Sequence, residues 1–285
     1  MKHFVFISDM FADTYRGGAE LTTDAIMRGA HIDSNIAIGK IPSHAVTVQQ
    51  IEKGKDVHWI VCNFSALNSD VKIKMCKESV YSIIEYDYKF CSFRSVEKHK
   101  AITKSECDCL NDFEGKLNMA FYGYAQKIWF MSEGQKNIFI KYMPHLKNNN
   151  LEVLSSIFYP GDLRFMSSIK DNEKENPYII LKSSSWIKGT QSCIEYAKEN
   201  NLDYELVENL SYHELLIKMS TAKGLIFRPL GNDTCPRIVI EAKLLGCDLK
   251  INDFVQHKDE EWFSSQQSCY DYLFNRVDKF WKHYE

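Results

Sequence analysis

"GNDTCPRIVIEAKLLGCDLKIND", Gly231 to Asp253, decides how this chain is read. An apolar strand, Gly224 to Pro229, leads into a Gly-Asn-Asp loop, a strong helical run and a second strand, "DLKIND". Ile238, Val239, Ala242 and Leu245 recur at helical spacing and form an apolar stripe, with Glu241 on a different side. Thr234 suits the N-cap, Pro236 the first turn and Gly246 the stop. The start of such a helix offers free N–H groups and a positive dipole end, which suit a phosphate. Arg237 in that turn opposes the dipole unless it pairs with the same anion. Glu241 can accept hydrogen bonds from two vicinal hydroxyls, as on a ribose. The plainer alternative is a capped helix with a solvent-exposed glutamate.

The same rhythm runs through the chain. "HFVFIS", "SNIAIG", "VHWIVCNF", "YSIIEYD", "KIWFMS" and "LEVLSSIF" read as strands. "GGAELTTDAIMRGA", "TVQQIEKG", "GKLNMAFYGYAQ" and "EGQKNIFIKYMP" read as the helices between them. A polar stretch containing Pro160 and Gly161 then reads as a join. Alternation resumes at "YIILKSS" and continues through "TQSCIEYAKENN", "DYELVE", "SYHELLIKMSTA" and "GLIFRP". The tail "QQSCYDYLFNRVDKFWKHY" reads as one amphipathic helix. The expected architecture is α/β, with two Rossmann-like domains facing a cleft. Residues 1–158 are expected as the first domain, 159–176 as a linker, 177–270 as the second domain, and 271–285 as a helix returning to the first domain.

The 285 residues are 45% hydrophobic and 26% charged, which supports real cores and argues against wholesale disorder. A net charge of −3 argues against a dedicated nucleic-acid scavenger but leaves room for a local basic patch. The run after Met1-Lys2 is too short for a signal sequence, and no apolar stretch is long enough to span a membrane. The nine scattered cysteines are therefore expected as reduced thiols in a cytoplasm.

Two further loops suit anions. "SSSWIKGTQSC", Ser183 to Cys193, places Ser184, Lys188 and Gly189 between a strand and a helix, as a diphosphate requires. "DTYRGGAEL", Asp13 to Leu21, follows the first strand, and Gly17 and Gly18 permit close backbone approach. Each is also consistent with an ordinary turn. It is the ordered set that resembles a GT-B glycosyltransferase, similar to glycosyltransferase family 4. Gly17, Gly18 and Glu20 match its Gly-Gly-x-Glu element, and Lys188-Gly189 its Lys-Gly element. Asp233-x7-Glu241, with Ala242 and Gly246, matches its E-x7-E element, and "WFMSE" its Ser-Glu strand end. The resemblance covers most of the chain.

The resemblance implies a retaining transfer from a nucleotide sugar, UDP-linked in the commonest case, with no catalytic metal. It implies that Lys188 neutralises the diphosphate, Asp233 contacts the donor sugar and Glu241 binds the ribose. The Gly17-Gly18 loop would close over phosphates and acceptor. Asp233 stands where the family has Glu, and Ser183 where it usually has Arg. Lys182 or Arg237 is expected to supply that charge.

Acceptor selection is expected on the first domain. Tyr81 to Cys109 interleaves Lys89, Arg94, Lys98, Lys100 and Lys104 with Tyr86, Tyr88, Phe90 and Phe93. Such a mixture can grip a phosphate backbone and stack bases, or hold an anionic glycan or lipid headgroup. A solvated loop with core aromatics is the plainer reading. Glu20, Glu85, Lys89 and Arg94 are the acceptor-binding candidates, and Asp87 joins Lys188 and Asp233 as a catalytic one. Short enzymes of this resemblance occur in tailed phages. Duplex DNA carrying 5-hydroxymethylcytosine is therefore the leading acceptor, in a phage host's cytoplasm. The alternatives are a glycan- or lipid-linked acceptor in surface polysaccharide synthesis and a non-catalytic sugar-nucleotide-binding module. Cys91, His99, Cys107 and Cys109 are candidate ligands for a structural zinc.

Overall fold

In the computed structural model, which describes residues 1–30 and 35–285, the chain divides into two compact units. Met1–Ile157 and Val277–Glu285 form one, and Phe158–Arg276 the other.

The first unit alternates strands and helices. It runs β1 (Lys2–Ser8), α1 (Gly18–Gly29), β2 (Ile36–Pro42), α2 (Val48–Lys53), β3 (Val57–Val61), α3 (Ser69–Glu78), β4 (Val80–Glu85), α4 (Val96–Thr103), α5 (Phe113–Tyr124), β5 (Lys127–Phe130), α6 (Glu133–Tyr142) and β6 (Leu151–Val153). Its strands are parallel, in the order β2-β1-β3-β4-β5-β6. Central strands such as "KIWF" in β5 are wholly buried, as a sheet covered on both faces requires. Helix starts are set locally: Thr47 and Gln50 make a capping box, and Ser95, Asp112 and Ser132 accept from the third residue of their helices. The serine of "WFMSE" is thus a helix cap. The strand expected from Ser34 begins outside the described residues.

The second unit runs α7 (Pro160–Ile169), β7 (Tyr178–Leu181), α8 (Thr190–Glu199), β8 (Tyr204–Val207), α9 (Tyr212–Thr221), β9 (Gly224–Phe227), α10 (Arg237–Leu244), β10 (Asp248–Ile251) and α11 (Gln266–Phe274). Its four parallel strands lie in the order β10-β9-β7-β8. Among the described residues no helix is long and apolar enough to cross a membrane, and all nine cysteines are free thiols.

Several elements depart from expectation. The stretch expected as a linker folds as α7, opened by Pro160, with Leu163 and Met166 buried in the second unit. Helices α3 and α4 were not legible because only short apolar stripes, such as Val71 and Met75, interrupt their charged residues. The tail is not one helix. It breaks at Asn275, and α12 (Arg276–Lys282) leads into residues grouped with the first unit. There Trp281 Nε1 donates to the Ile26 carbonyl at 2.9 Å, and Phe280 is fully buried among Trp129, Trp281 and Tyr284.

Phe280→Ala should therefore cost the first unit about 3–5 kcal/mol, read as a lowered midpoint in urea unfolding. A loss under about 1 kcal/mol would show that the tail is no part of that core.

Candidate functional site

In the second sheet β8 lies on one side of β7 and β9 on the other, so the chain reverses its direction of growth between β7 and β9. Ligands bind beyond the carboxyl ends of strands at such a switch point. The two loops singled out in the sequence both start there, and they touch. Lys188 Nζ lies 2.7 Å from Asp233 Oδ2, and the Leu230 N–H donates to the Ile187 carbonyl at 3.2 Å. Gly189 has φ +60°, and an added Cβ would stand 2.3 Å from the Arg228 carbonyl oxygen. The glycine is thus required by both conformation and contact. Asp233 is fixed in turn by its backbone, with its N–H donating to Phe254 O at 2.8 Å and its carbonyl accepting from Gln256 N at 3.1 Å. Lys188 passes over the Phe227 ring, and its side chain keeps 30% of its surface exposed. Ser184 is exposed on the same loop, whereas Thr234 is buried.

The start of α10 differs from expectation. Pro236, not Thr234, holds the N-cap position. Gly246 follows the helix with φ +71°, as a stop should. Glu241 is not on a solvent-facing side: it is 3% exposed, and Arg237 is 5% exposed. Arg237 does not await an anion. Its guanidinium lies 3.8 Å from the Phe158 ring centroid, donates from Nη2 to Tyr212 Oη at 3.2 Å, and stands 3.5 Å from Glu241 Oε1. That last approach lacks hydrogen-bond geometry, so the buried Oε1 has no hydrogen-bond partner. Burial raises the Glu241 pKa, partly offset by Arg237 and by a hydrogen bond from Tyr212.

The first sheet has its own reversal, between β1 and β3. Asp9 follows β1 and Asn63 follows β3, and neither was anticipated; a polar residue just beyond each buried strand was the available signal. Burial would raise the Asp9 pKa, but hydrogen bonds from Ser43 Oγ and from the Ala66 and Ser65 N–H groups, with the charge of Lys89, hold it low. Glu20, in the first turn of α1, is buried beside Gly17 and accepts from Asn63 Nδ2 at 3.5 Å. Its burial raises its pKa, against the charge of Arg94.

Most of the expected acceptor-binding residues have internal partners. Glu85 is fully buried, bound by Lys89 Nζ at 2.7 Å, by the Asp87 N–H at 3.0 Å and by the Tyr122 hydroxyl. It cannot orient an acceptor. Burial lifts its pKa to about 7, against the opposing charge of Lys89. Lys89 is 5% exposed and bridges Glu85 and Asp87, so it is no surface cation. Asp87 is held by Lys89 at 3.0 Å and by both Nε and Nη2 of Arg94. Burial opposes its ionisation, but these two cations outweigh it and keep the pKa low, which makes Asp87 a poor general base. Arg94 also donates to Asn63 Oδ1 at 3.3 Å. Tyr88 and Phe90 are core residues, Lys100 pairs with Glu106, and Lys104 Nζ donates to the Ala101 carbonyl. Of the expected aromatic–cation grip, Tyr88 and Phe90 are thus core aromatics and Lys89, Arg94 and Lys100 are paired with carboxylates, whereas Tyr86, Phe93 and Lys98 are half-buried. Cys91, His99, Cys107 and Cys109 do come together, their ligand atoms within 4.8 Å of one another.

No protein-family model and no curated protein matches this chain. Solved structures do. An α,α-trehalose-phosphate synthase (UDP-forming) from Burkholderia vietnamiensis aligns with TM-score 0.57 at 6% identity, over 97% of this chain and 96% of that one. OtsA in its apo form aligns with TM-score 0.55 at 8% identity, over 98% and 96%. An E. coli trehalose-6-phosphate structure bound with UDP-2-fluoro glucose aligns with TM-score 0.53 at 9% identity, over 97% and 95%. At these identities the likeness establishes the fold, which is GT-B with two Rossmann-like domains.

The folded-state pKa of Glu85, about 7, lies above its ordinary 4.5. Folding therefore favours its protonated form, a contribution fully present below 4.5 and lost as pH rises through about 7. In urea titrations across that window the stability of the wild type should fall relative to that of Glu85→Gln as pH rises, because the opposing contributions of the buried His58 and His257 are common to both. An unaltered slope in the variant would overturn the assignment. Separately, Arg237→Ala should cost about 3–5 kcal/mol by leaving Glu241 buried without its counter-charge, while Arg237→Met with Glu241→Leu should recover much of it. Equal losses in both variants would mean that packing, not charge, is at stake.

Proposed function

We propose that the chain is a nucleotide-sugar-dependent glycosyltransferase that moves a sugar from a UDP-sugar to an acceptor hydroxyl with retention of configuration. The observation that carries this reading is the meeting of Lys188 and Asp233 at the switch point of the second sheet, on a GT-B fold. A departing diphosphate develops charge that a preorganised cation stabilises. An ammonium has three donors. One of Lys188's meets Asp233, which leaves two for diphosphate oxygens. Gly189 and Ser184 line the same loop and lend it close backbone approach and a hydroxyl. Asp233 is then the acceptor for a hydroxyl of the donor sugar. Glu241 takes the ribose in this reading, supported by its Oε1, a buried acceptor with no hydrogen-bond partner. Arg237 orders Glu241 rather than gripping phosphate itself. The similar E. coli structure bound with UDP-2-fluoro glucose supports UDP as the carrier.

The acceptor reading rests on the first unit. Glu20, with its raised pKa and its neighbours Asn63 and Arg94, is the group best suited to meet a hydroxyl there. Because Lys89 and Lys100 are already paired, we favour a glycan- or lipid-linked hydroxyl over duplex DNA carrying hydroxymethylated bases.

A thermal-shift screen of sugar nucleotides identifies the donor, since a bound ligand stabilises by mass action. Radiolabelled transfer to glycans is expected, and transfer only to hydroxymethylated duplex DNA would reverse the acceptor preference. Donor binding with neither transfer nor slow hydrolysis would identify a binding module instead. Lys188→Ala should lower kcat about 100-fold or more while changing the donor KM far less. An unchanged kcat would remove Lys188 from the reaction.

A further inference from the structure

Four side chains of the first unit converge in a way that the transfer reaction does not use. Cys91 follows β4, His99 lies in α4, and Cys107 and Cys109 precede α5. Cys91, His99 and Cys109 are 2%, 4% and 9% exposed, and no two of the sulfurs are joined as a disulfide. Their ligand atoms, with that of Cys107, all lie within 4.8 Å of one another.

The two distances from His99 to sulfur are those of a zinc cage. Tetrahedral bonds of about 2.3 Å to sulfur and about 2.0–2.1 Å to nitrogen place sulfur and nitrogen about 3.6 Å apart. His99 Nδ1 stands 3.5 Å from Cys109 Sγ and 3.8 Å from Cys91 Sγ. One ring nitrogen offers a single N–H or a single lone pair, yet two sulfurs approach it, and Cys91 Sγ lies also 3.5 Å from the Ser95 carbonyl.

The surroundings also suit a bound ion. The Ser92 N–H donates to Cys109 Sγ at 3.4 Å, and Ser92 Oγ lies 3.3 Å from the same sulfur. Donors aimed at a sulfur stabilise it as thiolate, the form that binds metal. His99 Nε2 faces Asp108 Oδ1 at 3.8 Å, so the nitrogen turned toward the sulfurs is Nδ1. Two sharp turns, Arg94 with φ 55° and Lys104 with φ 62°, bring the segment back on itself.

We propose that Cys91, His99, Cys107 and Cys109 bind one structural zinc ion. Four protein ligands fill a tetrahedron and leave no open position, so the ion holds structure and takes no part in chemistry. What it holds is the connection from β4 to α5, which carries Asp87, Lys89 and Arg94. The ion thereby fixes Arg94 against Asp87 and Asn63. The proposal stands whether or not the chain transfers sugar.

Metal analysis of the full chain, purified from zinc-supplemented cells without a histidine tag, should find one zinc per chain. Cys109→Ser and His99→Ala should each lose it, while Cys193→Ser, a buried thiol in the second unit, should keep it. Asp108→Asn should retain the ion with about tenfold weaker affinity. Because a ligand variant can fail to fold, the wild-type chain is also loaded with cobalt(II), which should give thiolate-to-metal charge-transfer absorption. Less than half an equivalent of zinc in the wild type would overturn the site. So would undiminished zinc in Cys109→Ser, or cobalt bound without that absorption.

Discussion

Parallel strands cannot be joined by tight turns, so every connection in both sheets crosses over and returns to the same edge. Each sheet also reverses its growth once, between β1 and β3 and between β7 and β9. At that reversal the loops that leave two neighbouring strands meet beyond the carboxyl edge, where such sheets bind ligands. Everything proposed for the second unit depends on this constraint. Lys188 and Asp233 are 45 positions apart in sequence, yet the sheet order puts the loops that carry them side by side. The positive φ of Gly189 and the backbone clamp on Asp233 then hold the pair in register.

The two buried charge networks serve a different purpose. Glu85, Lys89, Asp87 and Arg94 in the first unit satisfy one another inside the protein, and in the second Arg237 is the counter-charge to Glu241 without a hydrogen bond to its Oε1. A buried ion pair adds little net stability over an apolar pair of the same shape, but losing one partner leaves a charge that the interior cannot solvate. Such networks therefore specify conformation. Lys89 ties the end of β4 to the loop beyond it, and Arg94 ties that loop to Asn63 beyond β3. The cysteine and histidine cluster lies on the same connection. The segment is held from both ends by polar contacts, while Tyr88 and Phe90 enter the core.

The alternation of short apolar strands with capped helices was legible because each signal is local. Thr47 and Gln50, or Ser211 and Glu214, mark a helix start whatever lies around them. The glycine stops and the Lys-Gly turn were legible for the same reason, since backbone sterics act within a residue or two. Helix α7 was not, because "PGDLRFMSSI" is buried only on one narrow side and its neighbours are polar. Nor was the break at Asn275, where the helical pattern runs on but the chain passes from one compact unit to the other.

The sequence by itself thus determined the parallel α/β class, the positions of the loops at the carboxyl ends of the strands and the close spacing of Cys91, His99, Cys107 and Cys109, all features of the local chain. Only the tertiary structure decided which charges are available. Glu241, Lys89 and Glu85 look like surface groups in a linear reading, and each is buried against a partner of opposite charge. Whether a charged side chain meets solvent, a ligand or its neighbour depends on what packs over it. That packing comes from elements far away in sequence, and no local pattern records it.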